Sequence, residues 1–180
     1  MADPWRITRI VDALFQIPRI GWVSSGVKGA ETVAQHIMLT AYLAIAIARE
    51  AGLNVGKAAL LALIHDLPEA ELGNPSRGVR EAIGMDKWRA LESSVASSLG
   101  LGEFYGEYSS SSSAEAQVVK LSDKLATFIR ACEYLKMGYD TGELVEYYRG
   151  EVLEALKSLD IGGRAKEYIL SIINGCRPRK

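Results

Sequence analysis

The sequence predicts an all-α chain, and three observations carry the prediction. Apolar residues recur at three- and four-residue steps in almost every segment, no run alternates at the period of a strand, and capping residues stand just ahead of the apolar stripes. The 180 residues, 48% hydrophobic and 24% charged, have the composition of a globular protein and can bury roughly 70% of the unfolded chain's surface. One domain over residues 1–180 is expected, a bundle of about seven or eight helices with its core at about 10–174 and a basic tail at 175–180.

Each element has a local reason. Asp3-Pro4 is a cap followed by proline in the first turn; Ile7, Ile10, Val11, Leu14 and Phe15 then form one stripe, which Pro18 stops. Residues 18–30 read as a glycine-bearing loop. Thr32 to Gln35 is a capping box that opens a long helix to about Ala51, where Gly52 ends it. Asn54 caps a short apolar helix from Val55 to about His65. Asp66-Leu67-Pro68-Glu69 reads as a cap and first turn that restarts a helix as far as Gly73. Asn74-Pro75-Ser76 is a turn. Asp86 opens a helix with Trp88, Leu91, Val95 and Leu99 on one face. Ser109–Ser113 is the low-complexity tract, and Ser112 to Glu115 forms a second capping box. Behind it Val118, Leu121, Leu125, Phe128, Cys132 and Leu135 step by three and four, the strongest stripe of the chain. Helices over 141–159 and 163–174 follow, with Asp160–Gly163 turning between them.

Charge and cysteine content exclude several classes. Lysine and arginine total 21 against 22 acids, a net charge of −1, so no global basic field attracts nucleic acid; a local basic pocket for a small phosphate stays open. The longest apolar run, Ile37–Ala48, has 12 residues and is too short to span a bilayer. Arg6, Arg9 and Asp12 lie where a signal peptide would carry its apolar stretch. Cys132 and Cys176, 44 residues apart and in no C-x-x-C pattern, indicate neither a disulfide framework nor a cysteine metal site, and Cys132 is expected as a small core residue. A reducing cytoplasm is the expected address, with no membrane partner. Asparagine and glutamine total only six, a composition in the direction of thermophile proteins.

The chemistry has few places to sit. The chain holds two histidines, His36 in the first turns of the long helix and His65 at the end of the next, directly followed by Asp66. At a junction between helices, adjacent side chains can converge instead of splaying by the ~100° of a regular helix. Asp123 lies among Val119, Leu121 and Leu125, where a partly buried acid needs a partner. His36, His65, Asp66 and Asp123 together would make a mixed nitrogen and oxygen site for one divalent ion (Mn, Co, Mg, Zn, Fe or Ni), with room for water and a phosphate oxygen. The same four side chains would also serve as hydrogen-bonded core groups, and spacing alone does not separate the two. Glu69, one helical turn after Asp66, is the candidate acid/base, or else an ordinary first-turn glutamate. Arg19 offers a planar fork for phosphate, or is a solvated loop arginine. Trp22 walls a sugar or base, or anchors its loop to the core.

These residues carry a resemblance. His36, then His65-Asp66 29 residues later, then Asp123 in a downstream helix resembles the H…HD…D signature of the HD-domain metal-dependent phosphohydrolases. Around it, Arg19-Ile20-Gly21-Trp22 and His65-Asp66-Leu67-Pro68-Glu69 (H-D-x-x-E) are similar to the small 5′-deoxynucleotidase branch of that superfamily. So are Glu31 to His36 (E-[SN]-V-[SA]-[DE]-H in the branch) and Ser112 to Ala116 followed by Lys120 and Asp123. The likeness covers roughly residues 10–160. It implies an HD-domain helical bundle, removal of phosphate from (deoxy)nucleoside monophosphates and a homodimer. It also implies metal ligation by His36, His65, Asp66 and Asp123, catalysis by Glu69, and substrate contacts at Arg19, Trp22 and Asn74. Glu115 would brace the site from behind, although its capping box accounts for it.

The chain departs from the branch at two positions. Gln35 stands where the branch has an acid before the first histidine. Asn74, after Gly73, stands where it has an acid that handles substrate. If that acid only orients the sugar, asparagine can serve and the chain is a phosphatase; if its charge activates water, the chain is a non-catalytic metal- and nucleotide-binding scaffold. The lack of further histidines argues against the di-iron oxygenases of the superfamily. Ala70 argues against the H-D-x-x-E-D of guanosine-tetraphosphate hydrolases, and the missing G-Y-P segment against cyclic-dinucleotide phosphodiesterases. Hydrolysis of another phosphate ester or of a nucleotide's pyrophosphate is the remaining enzymatic alternative.

Overall fold

The computed structural model describes residues 3–176. Within them the chain forms eleven helical segments: α1 (Pro4–Gln16), α2 (Ile20–Ser24), α3 (Val33–Ala51), α4 (Val55–Ile64), α5 (Glu69–Leu72), α6 (Arg77–Ile83), α7 (Met85–Ser98), α8 (Gly102–Ser110), α9 (Ala114–Lys136), α10 (Gly142–Ser158) and α11 (Gly162–Gly175). Among the described residues there is no sheet, only an isolated antiparallel bridge between Pro18 and Thr32 that closes the base of the 18–32 loop.

The two longest helices, α3 and α9, lie against each other and everything else is laid around them. The reciprocal cap of α3 forms as its sequence predicts: Gln35 N–H donates to Thr32 Oγ1 (3.3 Å) and Thr32 N–H to Gln35 Oε1 (2.9 Å). Gly52 ends it at φ 72°, a left-handed conformation open to glycine at little cost. Asn54 then caps α4, which folds back on α3 through Ala41, Ala44, Ala48, Ala58 and Ala62. A seam of such small side chains lets the two backbones approach closely. On the other side of α3, the α9 stripe of Val118, Leu121, Leu125 and Phe128 is fully enclosed by Leu43 and Ile47 of α3, Val145, Val152 and Leu156 of α10, and Ile169 and Ile173 of α11. Burial of each such side chain is worth about 1.5–3 kcal/mol.

More helices form than the seven or eight expected. The additions, α2, α6 and α8, are short and glycine-bearing, so their sequence carries little helical period. Packing decides two of them, through buried Trp22 in α2 and buried Tyr105 in α8, and a serine cap favours the third (Val79 N–H to Ser76 Oγ, 3.4 Å). Other boundaries shift. The second capping box is not made: Ser113, not Ser112, caps α9 by accepting from Ala116 N–H (3.1 Å), so Glu115 is free to reach elsewhere. α7 begins at Met85 after Gly84, one residue before Asp86, and Leu91 of its expected stripe is exposed. On α1, only Ile10 and Leu14 turn inward, while Ile7, Val11 and Phe15 remain exposed together with Trp5. α1 packs against α3, α5 and the end of α7, where Arg6 bonds Ser98, and so buries a narrow face.

Cys132 is buried in the core as expected, but the expectation that the cysteines form no disulfide is overturned. Cys132 of α9 and Cys176, just past α11, form a disulfide with Cα atoms 5.8 Å apart. A lone pair of cysteines distant in sequence gives no framework pattern to read; it is the antiparallel return of α11 that brings them together. Helix α11 thus runs through Gly175, and the expected tail loses its first two residues to structured chain; Arg177–Lys180 lie outside the described residues. Among the described residues, no helix is long and apolar enough to cross a membrane. The bond closes a separation of 44 residues. Its reduction, or Cys176→Ala, is expected to lower unfolding stability by about 2–4 kcal/mol with the helical signal of the native state intact. Chemical denaturation with and without reductant measures this; an unchanged midpoint would mean that α11 is held by its apolar face alone.

Candidate metal centre and its cavities

The centre begins at a proline. α4 cannot continue past His65 because Pro68 has no N–H for the Ile64 carbonyl, which instead accepts from Leu67 N–H (3.1 Å). Two more tight turns follow, Glu69 N–H to Asp66 O (3.0 Å) and Ala70 N–H to Leu67 O (3.1 Å), before α5 starts. In this tightened path the neighbouring His65 and Asp66 point to one place, with Nε2 3.2 Å from Oδ2. Asp66 therefore does not cap α5, contrary to expectation; α5 has no side-chain cap. From α3, fully buried His36 brings Nε2 to 3.7 Å from the same Asp66 oxygen and 2.9 Å from Asp123 Oδ1 on α9. One donor atom each from His36, His65 and Asp66 falls within 4.8 Å of the others, and Asp123 joins them through His36.

The proton positions follow from the partners. His65 Nδ1–H donates to the Ala62 carbonyl (2.6 Å), so Nε2 is the inward atom. It is buried, and although it pairs with Asp66 by charge it makes no hydrogen bond. Burial disfavours the charge on His65, but the adjoining Asp66 carboxylate more than offsets it and pushes the ring up to about 9. His36 is held the other way. Burial and then Arg19, which donates from Nη1 to His36 Nδ1 (2.8 Å), keep it below its ordinary value and neutral. With Nδ1 accepting, Nε2 carries the ring proton and donates it to Asp123. Asp66 and Asp123 are both kept below the usual carboxylate range in spite of burial, Asp66 by His65 and Asp123 by its bond to His36. A buried, unbonded imidazole nitrogen facing two ionised carboxylates is the chemistry of a divalent-cation site, so these residues fit such an ion.

Glu69 and Asn74 form the next layer. Glu69 is 4% exposed, and burial followed by the nearby Asp66 charge pushes its carboxyl up to about 8. Gly73, at φ 74°, swings the chain back so that Asn74 Nδ2–H donates to Glu69 Oε2 (2.7 Å) while Asn74 Oδ1 accepts from Ile20 N–H (2.8 Å). Only this orientation of the amide satisfies both partners. An aspartate there could accept from Ile20 but would face Glu69 oxygen to oxygen.

Arg19 is no solvated loop residue: its side chain is 16% exposed and holds His36, Thr127 Oγ1 (3.1 Å) and, at 3.6 Å, Glu31 Oε2. Trp22, 2% exposed, is turned into the core. Its indole N–H donates to Glu31 Oε2 (3.0 Å) and its ring packs edge-on to Tyr134. The sequence reading gave Glu31 no role, yet this buried acid ties Trp22, Arg19 and Arg130 (Nε to Oε1, 3.2 Å) together, and its own N–H donates to Tyr134 Oη (2.8 Å). Arg130 and Tyr134, one turn apart on α9, were the available signal. Glu115 lies away from the centre, where it accepts from Asn54 N–H (3.1 Å) and pairs with Lys57 (3.4 Å) at the start of α4. Gln35 is accounted for by its cap. A cavity of ≈ 300 Å³ opens beside Arg19, lined by Ile20, Trp22, Asn74, Arg77, Arg80, Thr127, Leu144 and Tyr148.

A cation at these atoms must displace the proton on His65 and move the His36 ring proton from Nε2 to Nδ1, at the expense of the Arg19 bond. Affinity for Mn²⁺ is therefore expected to rise with pH, by up to about tenfold per unit below about pH 9, with proton release in calorimetric titrations. His65→Ala should abolish it. Flat affinity across that range would place the ion elsewhere.

Comparisons with known proteins give the family. The HD domain family matches residues 11–152. A 5′-deoxynucleotidase HDDC2 of Danio rerio is 32% identical over 89% of this chain and 88% of its own. Among solved structures, the PH0347 protein from Pyrococcus horikoshii OT3 superposes with TM-score 0.80 at 28% identity, covering 93% of this chain and 98% of that one. A conserved hypothetical protein from Pyrococcus furiosus gives 0.79 at 30% identity over 92% and 96%. With the family's model spanning most of its length and a relative 32% identical over 89% of it, the chain belongs to the HD-domain family.

Proposed function

We propose that this protein is a divalent-metal-dependent phosphohydrolase that removes the 5′-phosphate from (deoxy)nucleoside monophosphates, acting as one HD domain within a homodimer. The observation that carries the reading is the buried donor cluster with its unbonded His65 Nε2, set next to a cavity that combines arginines with apolar walls. Likeness to 5′-deoxynucleotidases supports the substrate class. The exposed Trp5, Ile7, Val11 and Phe15 on α1 support a face covered by a second copy. The cytoplasmic address belongs to the same reading.

His36, His65, Asp66 and Asp123 would hold the ion, which when bound would polarise a phosphoryl oxygen and lower the pKa of a water. The chain's own residues supply the rest. Arg19, fixed by Glu31 and Thr127, presents a planar fork to the phosphate. Trp22 acts by holding the Arg19 loop in place, and the walls of Ile20, Leu144 and Tyr148 suit a sugar and base. As the phosphorus–oxygen bond breaks, the 5′-oxygen needs a proton. Glu69, raised to about 8, still carries one near neutral pH and is the group to donate it. Asn74 positions Glu69 and Ile20 by hydrogen bonds without needing a charge, which favours an active enzyme over a scaffold.

Glu69→Gln is expected to keep metal and fold while turnover of deoxyadenosine monophosphate drops by about 10²–10⁴-fold. Loss of metal instead would make Glu69 a ligand. In wild type, activity should decline as pH rises through the Glu69 pKa. Asn74→Asp removes a donor to Glu69 and adds a like charge, so that alkaline limb should move to higher pH. Phosphate release from a panel of nucleoside monophosphates with added Mn²⁺, Co²⁺ or Mg²⁺ reads both. An inert wild type that Asn74→Asp rescues would establish the scaffold.

A further inference from the structure

Two cavities flank Asp123 along α9, one bounded by Arg19 and Thr127 and the other walled by the donor cluster itself. Thr127, one turn after Asp123, lines the ≈ 300 Å³ cavity described above. Lys120, one turn before it, lines a second cavity of ≈ 190 Å³ between α7, α8 and α9. His65, Asp66 and Asp123 themselves form part of the second cavity's wall, and Arg80 is shared by both. The second cavity is smaller than the range for drug-sized ligands and suits an ion.

Its cations are placed without matching acids. Lys120 donates to the Ser109 carbonyl (2.8 Å) and lies 5.5 Å from the centre of the Tyr108 ring. Among the described residues, neither Lys120 nor Arg80 is ion-paired, and Arg89 has only the fully exposed Asp86 at 3.5 Å. Burial, then Arg89 and Lys124, hold Lys120 below the ordinary lysine value, so a nearby anion would relieve all three. Of the carboxylates facing this space, Asp66 and Asp123 belong to the cation site. Glu92 is taken by the Trp88 indole N–H (2.7 Å), and burial raises its pKa. Once a divalent ion balances the two aspartates, the cavity is net positive.

The reaction gives that charge a use. Hydrolysis of a phosphomonoester joins a water oxygen to phosphorus as the bond to the 5′-oxygen breaks, with attacking and leaving oxygens in line. With a nucleoside in the larger cavity, the leaving oxygen would lie on the Thr127 side and the phosphoryl group would invert toward the Lys120 side. We infer that the cavity lined by Arg80, Arg89 and Lys120 is the subsite that receives inorganic phosphate, the second product, and opens a separate way out for it. This rests on the nucleotidase reading and adds a product route to it.

Calorimetric titration of inorganic phosphate into the Mn²⁺-loaded protein tests it, with deoxyadenosine as the uncharged product for comparison. Arg89→Ala combined with Lys120→Met should weaken phosphate binding by about tenfold or more and raise the phosphate inhibition constant in parallel, while deoxyadenosine affinity moves less than about twofold. Phosphate affinity within about twofold of wild type would overturn the subsite, as would an equal loss for deoxyadenosine. If the double variant loses its helical signal, Arg89→Ala alone, altering an exposed side chain, is read the same way with about a threefold loss expected. The titrations do not require turnover. A wild type that binds phosphate through these residues but hydrolyses no nucleoside monophosphate would defeat the nucleotidase reading and leave only an anion site.

Discussion

The structure depends on a polar cluster placed at the meeting of three helices. His36, His65, Asp66 and Asp123 come from α3, the end of α4 and α9, and the two histidines are essentially inaccessible. Four titratable groups in a packed interior are costly unless each is matched. The matching is divided: Asp66 is kept ionised by the charge of His65 and Asp123 by its bond to neutral His36, while one nitrogen of His65 is left with a charge partner but no bond. Such an arrangement is stable only where the surrounding helices cannot relax. The alanine seam between α3 and α4 and the fully buried stripe of α9 provide that rigidity.

Around the cluster, the polar residues form one connected frame. Glu31 holds Arg19, Trp22 and Arg130, Arg19 fixes the tautomer of His36, and Asn74 joins the Arg19 loop to Glu69. The departure from an acid at position 74 makes sense inside this frame. An amide can face a backbone N–H on one side and a carboxylate on the other, whereas a second carboxylate would repel Glu69 unless a proton were shared. Trp22 shows the same logic from the apolar side, since a buried indole whose N–H is satisfied serves best as a fixed post for its loop.

Much of the fold was legible because its signals are local. The Thr32–Gln35 cap, the Gly52 stop, the Asn54 cap and the α9 stripe are decided within a few residues, and each formed where its side chains specify. The short helices α2, α6 and α8 were not legible, because glycine-bearing stretches have weak intrinsic preference and became helical by burying Trp22 and Tyr105 or by accepting a serine cap. The local context of Asp66 allows a cap, but the tightened turn sets its carboxylate against the adjacent His65 and, farther off, His36 of α3. Glu115 was likewise drawn off, to the N-terminus of α4.

By itself the sequence determined the helical class, the long elements and the residue types of the centre: two histidines and two aspartates whose positions on α3, α4 and α9 follow from caps and stripes. Tertiary structure alone decided which atoms face one another. That His65 Nε2 is left unbonded, that Arg19 sets His36, that Cys132 meets Cys176 and that cavities open on both sides of Asp123 all depend on how separate helices pack. Caps and periodicity are short-range and are written residue by residue. Distances between side chains many residues apart are set only when the core closes, and no local pattern encodes them.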